Sequence, residues 1–367
     1  MNRILIINKS RVIEILNKIY SIENLQKLRA ELSRLKNNLI RRRRTETDND
    51  GVLNVDENGD TIKLEQKYLL NEIKQIEETQ TLERTKYYIE RLKKGIAEIK
   101  TSKINDINLN RWKEYDEILT DSLWVLSKRD STGPHSAWYW GNFIPQIPHQ
   151  MILRYTKKSE WVLDPFVGSG TTLIECKLLN RNGIGIELQP EIASKAIEQI
   201  NKGNNSESNV FIEVGDSAEV NYQQLLGKYG IKSVQLLLMH PPYHDIIKFS
   251  DNPNDLSNQK STQAFVDLFC KVVDKTYEVL DKGRYFILVI GDKYSKGKWI
   301  PLGFMLMQEV LKRGYFLKSI VVKNFDETTG KRNQKDLWRY RALVGGFYIF
   351  KHEYIFVFKK EKESNND

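Results

Sequence analysis

The run Trp161-Val-Leu-Asp-Pro-Phe-Val-Gly-Ser-Gly-Thr-Thr172 constrains this chain more than any other stretch. Its apolar start, ending in Asp164, reads as a buried strand, Gly168 and Gly170 as a tight turn, and the threonines as the opening of a helix. Glycines at such a turn let the backbone approach a ligand closely, and the following helix start offers unpaired N–H groups. About seventy residues later a second apolar run, 234–239, ends in His240-Pro-Pro-Tyr243. The two prolines make that corner rigid and leave it no spare backbone donors.

The rest of the chain from about residue 111 fits around these two features. Strands are expected at 160–166, 183–188, 210–214, 234–239, 285–290, 317–322 and 353–359, and helices at 171–180, 191–201, 223–229, 261–280 and 302–312. Such alternation specifies an α/β architecture, a doubly wound, mostly parallel seven-stranded sheet with helices on both faces. The last two strands, with no obvious helix between them, are expected to form an antiparallel edge. Ligands of such sheets bind at the carboxyl ends of the strands, where both features lie.

The first 110 residues have a different pattern. Leu25, Leu28, Leu32, Leu35 and Leu39 alternate spacings of three and four, a coiled-coil-like seam. A second seam runs through Leu69, Ile73 and Ile76, then Ile89, Leu92, Ile96 and Ile99. The pattern predicts an α-helical hairpin module over 1–110, a main domain over 111–360 and a disordered tail over 361–367. The module serves either as a packing arm, joining a homodimer or a partner subunit, or as a DNA clamp with Arg41, Arg42, Arg43 and Arg44 at its tip. Between the seams, 52–55 and 61–64 are expected to pair as a small β-hairpin turning at Asn58-Gly59. The acids nearby do not make a calcium loop, since Gly59 is misplaced and the twelfth position is Lys67.

Composition narrows the function classes. Two cysteines, Cys176 and Cys270, exclude a disulfide framework and suit a reducing cytoplasm. No apolar run approaches bilayer-spanning length, and Ile4-Leu-Ile-Ile7 is too short for a signal peptide, so no membrane role is expected. A net charge of +9 favours a polyanionic partner. His240 and His244 stand four apart, but Pro241-Pro242 forbids the helix that would join them at a metal, and no metal is expected.

Asp164-Pro-Phe-Val-Gly-Ser-Gly-Thr-Thr172 and His240-Pro-Pro-Tyr243 together resemble motifs I and IV of the S-adenosylmethionine-dependent methyltransferases that modify adenine N6 or cytosine N4 in DNA. Gly141-Asn-Phe-Ile-Pro145 is similar to that family's motif X, so the order is X, I, IV over residues 120–360. The resemblance implies a Rossmann-like methyltransferase fold and S-adenosylmethionine as cofactor. It assigns Phe143, Asp164, Phe166, Gly168, Gly170 and Thr171 to the cofactor, Glu187 to the ribose hydroxyls and Asp216 to the adenine. At His240, Pro241, Pro242 and Tyr243 it implies catalysis by positioning. A side-chain acceptor and the Pro241 carbonyl hold the amine hydrogens, the lone pair turns to the methyl donor, and Tyr243 stacks on a flipped-out base.

His240 departs from the family, which carries Asp, Asn or Ser there. A neutral imidazole has one acceptor nitrogen and an imidazolium none. If His240 accepts, the rate is expected to fall as pH drops through its pKa; if it is structural, catalysis rests on the Pro241 carbonyl. Cytosine C5 chemistry is excluded, because Cys176 and Cys270 follow Glu175 and Phe269 inside helices rather than proline. Lys323, Trp338, Arg339 and Arg341, in a polar insertion between the last strands, suit phosphate contacts and stacking, or else form a solvated basic rim. Only about seventy residues separate motifs I and IV, too few to hide a target-recognition domain. The expected activity is site-specific DNA amino methylation of restriction–modification type with base flipping, adenine N6 favoured over cytosine N4. An RNA amino-methyltransferase, for example at guanine N2, and a catalytically silent DNA-binding subunit are the other readings.

Overall fold

Leucine and isoleucine rows at helical spacing bury themselves against one another in the first of two compact units of the chain, which takes in 1–103 and 107–117. The computed structural model describes residues 3–40, 51–53, 60–203, 207–324 and 335–361. In the first unit, β1 (Ile4–Asn8) lies antiparallel to β2 (Thr61–Glu65). Among the described residues, four helices share a core with the pair: α1 (Lys9–Tyr20), α2 (Leu25–Ile40), α3 (Gln66–Glu77) and α4 (Leu82–Ala97). Asn8 caps α1 by accepting from the Arg11 amide at 3.0 Å, and Thr81 caps α4 by accepting from the Arg84 amide at 3.2 Å.

The unit is thus more than a two-helix hairpin. A third apolar row, Val12, Leu16 and Ile19 on α1, joins Leu28, Leu32, Leu35 and Leu39 of α2, Ile73 of α3 and Ile89 of α4 in one buried cluster. Ile99 lies beyond the end of α4 and is exposed. Among the described residues, 61–64 do not pair with 52 and 53. They pair with β1, whose inward Leu5 and Ile7 bury against Leu64, while Leu53 keeps a single bridge to Ile7. The expected turn at Asn58-Gly59 and the four arginines 41–44 fall outside the described residues, as does the tail from 362.

The second unit, 104–106 and 118–367, is built on an eight-stranded sheet. In chain order its elements are β3 (Leu123–Trp124), α5 (Gln146–Tyr155), β4 (Trp161–Asp164), α6 (Thr171–Leu178), β5 (Asn182–Glu187), α7 (Pro190–Asn201), β6 (Val210–Val214), α8 (Tyr222–Lys228) and β7 (Val234–Met239). There follow α9 (Thr262–Val279), β8 (Leu280–Ile290), a small hairpin of β9 (Lys293–Ser295) and β10 (Lys298–Ile300), α10 (Leu302–Leu311), β11 (Tyr315–Asn324), α11 (Lys335–Gly345) and β12 (His352–Lys360). The strand order is β3-β11-β12-β8-β7-β4-β5-β6. From β8 to β6 all neighbours are parallel, and β12 runs antiparallel to both β8 and β11.

Three features differ from the pattern in the sequence. The reversed strand is internal, because Tyr354 to Phe358 is apolar and buried on both faces and needs neighbours on each side. The eighth strand, β3, then closes the edge by pairing parallel with β11 at Val322 and Lys323. Helix α5 also escapes periodicity, since Pro148 looks like a breaker; it sits in the first turn, where its missing N–H costs no helical bond. Alternation along β4 sends Val162 to the face covered by α5 and Leu163 to the face covered by α8, α9 and α10, where Phe265, Phe269 and Leu306 fill the core.

Glycine in β5 couples this packing to the turn after β4. A Cβ on Gly185 would overlap Val167 Cγ2 and stand 3.1 Å from the Asp164 carbonyl oxygen. Gly185→Ala is therefore expected to destabilise the protein by about 1–3 kcal/mol through overpacking, measured by denaturant unfolding, with the loss concentrated in the unit that carries this sheet.

Candidate active site

Strand β4 ends on Asp164, whose buried carboxylate accepts from the Phe166 amide at 2.9 Å and so starts the turn. The turn needs left-handed backbone at Gly168 (φ 52°) and Gly170 (φ 82°). At Gly170 a Cβ would also stand 3.3 Å from Ile200 Cδ1 of α7, and at Gly168 one would stand 3.0 Å from the Tyr139 ring. Thr171 then opens α6, and Asn142 holds the turn from outside by donating to Ser169 Oγ at 2.9 Å.

Glu187, the last residue of β5, ties two strand ends together. Its Oε2 accepts from the Gly168 amide at 2.9 Å and its Oε1 from the Gln189 amide at 3.0 Å. Burial drives both acids toward the neutral form. Asp164 is raised to about 6 and Glu187 to about 7, the backbone donors opposing the shift. Asp216, after β6, is half-buried and accepts from the Ala218 amide at 2.8 Å.

Strand β7 pairs directly with β4, so the 240–243 corner opens beside the glycine turn. The His240 ring packs on Phe143, centroids 4.8 Å apart, and meets Tyr243 edge-on at 5.3 Å. His240 Nε2 lies 3.1 Å from the Tyr243 hydroxyl, which donates to Glu353 Oε2 at 3.0 Å. Lys323 Nζ lies 3.2 Å from Glu353 Oε1, and both of these charged groups are buried. Burial first, and the Lys323 charge second, push His240 from 6.5 down to about 3. The imidazole is thus neutral throughout the ordinary pH range, and its protonation step lies well below where an isolated histidine would place it.

A cleft of about 1530 Å³ gathers these groups within the second unit. Phe143, Phe166, Gly168, Thr171, Glu187 and Asp216 line one part, and His240, Pro241, Pro242 and Tyr243 another. Asp164 and Gly170 do not reach the cleft wall; they shape the turn behind it. Trp338 lines the cleft under the Arg341 guanidinium, 5.3 Å from its ring, while Arg339 and Arg341 are exposed on α11 outside the lining. Lys323 lines the cleft too, but its ion pair with Glu353 holds it inside and away from a rim. Both cysteines are core residues, with thiols pushed up by burial, and neither lines the cleft.

Glu353 is the functional-looking residue that sequence patterning misses. Its signal was a lone acid at the head of the apolar run Tyr354 to Phe358.

The arrangement fits a nucleoside-bearing, cationic cofactor. A glycine turn whose backbone is open to the cleft faces two carboxylates at successive strand ends, with Phe143 and Phe166 as apolar walls. Carboxylates accept from hydroxyl and amino groups and favour positive charge nearby.

The family model described as DNA methylase, N6_N4_Mtase, matches residues 60–198 and 234–367. Type II methyltransferase M.MjaII of Methanocaldococcus jannaschii is 31% identical over 194 residues, covering 50% of this chain and 29% of that protein. Type II methyltransferase M.XycI of Xanthomonas campestris pv. cyanopsidis is 35% identical over 85 residues, 23% of this chain and 27% of its own length. M.HpaI of Haemophilus parainfluenzae, also a type II methyltransferase, is 49% identical over 51 residues, 14% and 16% of the two chains. The chain thus spans under a third of each of these relatives.

A titration of the five histidines by NMR checks the electrostatics of the corner. The His240 ring is expected to show no protonation step between about pH 5 and 8; an inflection near 6.5 contradicts the burial described above.

Proposed function

We propose that this chain, which belongs to the N6_N4_Mtase family of DNA methylases, transfers a methyl group from S-adenosylmethionine directly to an exocyclic amine of a DNA base, adenine N6 or cytosine N4. The observation that carries this reading is the meeting of the glycine turn after β4 and the His240–Tyr243 corner after β7 in one cleft, on strands that pair directly. The relatives named above are type II methyltransferases, which supports action within a specific DNA sequence as part of restriction–modification.

Each residue then has a physical task. When bound, S-adenosylmethionine supplies an electrophilic methyl on a sulfonium. Phe143 and Phe166 pack against it, and Glu187 accepts from the ribose hydroxyls while remaining anchored by the Gly168 and Gln189 amides. Asp216 accepts from the adenine amine. At the corner, an acceptor nitrogen of neutral His240 and the Pro241 carbonyl accept hydrogen bonds from the two N–H groups of the target amine. That pulls the amine toward a pyramidal form and aims its lone pair at the methyl, so catalysis is orientation and electrostatics. The amine's surplus proton leaves to water once the N–C bond has formed and the S–C bond has broken. Tyr243 stacks on a base drawn out of the duplex, since the amine is otherwise beyond reach of a recessed corner. Trp338, Arg339 and Arg341 meet the nucleic acid at the cleft mouth, the arginines through phosphate.

Two variants separate the halves of the site. His240→Ala is expected to lower the rate of methyl transfer to DNA by about 10²-fold or more while cofactor affinity stays within about threefold, measured by transfer of labelled methyl to DNA and by calorimetry. Full activity in His240→Ala removes the acceptor role. In the intact protein, cofactor affinity is expected to fall as pH drops through about 7, where the Glu187 carboxylate takes a proton. Glu187→Gln is expected to abolish that step and leave only the Asp164 contribution nearer 6; a step near 7 that persists in the variant contradicts the assignment.

A further inference from the structure

The corner carries a buried acid and a buried lysine that methyl transfer, as described so far, does not use. Lys323 and Glu353 are 5% and 3% exposed and lie at the end of the chain His240–Tyr243–Glu353–Lys323. Burying two charges is costly unless they are paired, so their placement beside the reacting corner needs a reason.

Proton bookkeeping along the chain supplies one. A carboxylate only accepts, so the Tyr243 hydroxyl must donate its single proton to Glu353 Oε2, 3.0 Å away. Its oxygen then has only lone pairs to offer His240 Nε2, 3.1 Å away on the other side. Nε2 must therefore carry the ring proton, and in a neutral imidazole Nδ1 is left as the acceptor. Nδ1 makes no hydrogen bond among the described residues, and the Phe143 ring holds the imidazole in place. We propose that Glu353, acting through Tyr243, is the positioning residue that fixes His240 as its Nε2–H tautomer and so makes Nδ1 the acceptor for the target amine. The idea rests on the acceptor role assigned to His240 above.

The device accounts for the departure from the family pattern. A carboxylate in the first position of the corner accepts through either oxygen and needs no orienting partner. A histidine has one donor and one acceptor nitrogen, and with the wrong tautomer it would present an N–H to the amine. Burial and the Glu353 charge also keep Tyr243 a protonated phenol, its pKa well above the usual value, so the donor in the chain persists.

Glu353→Gln tests the proposal because it should invert the chain. Lys323 faces Glu353 Oε1, so in the variant the amide oxygen stays toward the lysine and the NH₂ group takes the Oε2 position. The NH₂ then donates to the phenol oxygen, the phenol proton turns to His240 Nε2, and the ring proton moves to Nδ1. The full chain is labelled with ¹⁵N-histidine, and the His240 nitrogens are identified by their loss in His240→Ala. In the wild type, Nε2 is expected in the protonated, pyrrole-type range and Nδ1 in the pyridine-type range. In Glu353→Gln the two are expected to exchange, with kcat for methyl transfer down by about 10²-fold and with KM for DNA and cofactor affinity within about threefold. Glu353→Asp, which keeps an acceptor-only group, is expected to retain the wild-type tautomer and to recover part of the rate. A pyridine-type Nε2 in the wild type, which needs no variant to fold, overturns the proposal, as does an unchanged tautomer in a folded Glu353→Gln. An exchanged tautomer with unchanged kcat leaves the chain of bonds standing and overturns the acceptor role of His240. Absence of methyl transfer by the wild type overturns the proposed function, while the ¹⁵N spectrum still decides the tautomer.

Discussion

Parallel pairing of β4 with β5 on one side and β7 on the other brings Asp164, Glu187 and His240 to the same end of the sheet, where loss of solvation penalises the charged form of all three. Removed from water, each is pushed toward its neutral form: the two acids rise to about 6 and 7 and the histidine falls to about 3. For the acids this desolvation is opposed by backbone amides, which act as fixed donors and lock the glycine turn to the end of β5. For the histidine it is reinforced by Lys323. The same constraint thus acts on both the turn proposed to hold the cofactor and the corner proposed to accept from the target amine.

The pairing also explains why residues so distant in sequence lie together. Strand β7 delivers a corner stiffened by two prolines, while β12, reversed and buried between β8 and β11, brings Glu353 up to the Tyr243 hydroxyl. Lys323, the second-last residue of β11, closes the chain from the neighbouring strand. An internal reversed strand therefore contributes to the site directly and does more than finish the sheet.

Much of this was legible in the sequence, for identifiable reasons. Strands β4 to β7 are short, mostly apolar runs bounded by turn residues, and Asp164, Glu187, Asp216 and the corner stand at or just past their ends, so the line of the cleft is written in the chain itself. What was hidden is what periodicity does not encode. The order of strands cannot be read from alternation, so the sequence alone puts β12 near the edge and marks Glu353 only as a strand residue. Pro148 masked α5, and the aromatic and basic residues of 335–345 read as an insertion where the chain forms α11. In the first unit the apolar rows were visible, but the count of helices was not, because a seam shows a face and not how many neighbours cover it. The low pKa of His240 follows from burial and from a lysine 83 positions away in the sequence, which no local pattern can supply.

The turn and the corner are proposed to act together in methylating an exocyclic amine in DNA. The most direct measurement is to incubate the full chain with methyl-labelled S-adenosylmethionine and either DNA or RNA, digest the nucleic acid, and identify the labelled nucleoside. The proposed reaction places label in DNA as N6-methyldeoxyadenosine or N4-methyldeoxycytidine. Label found at cytosine C5, or only in RNA, contradicts it.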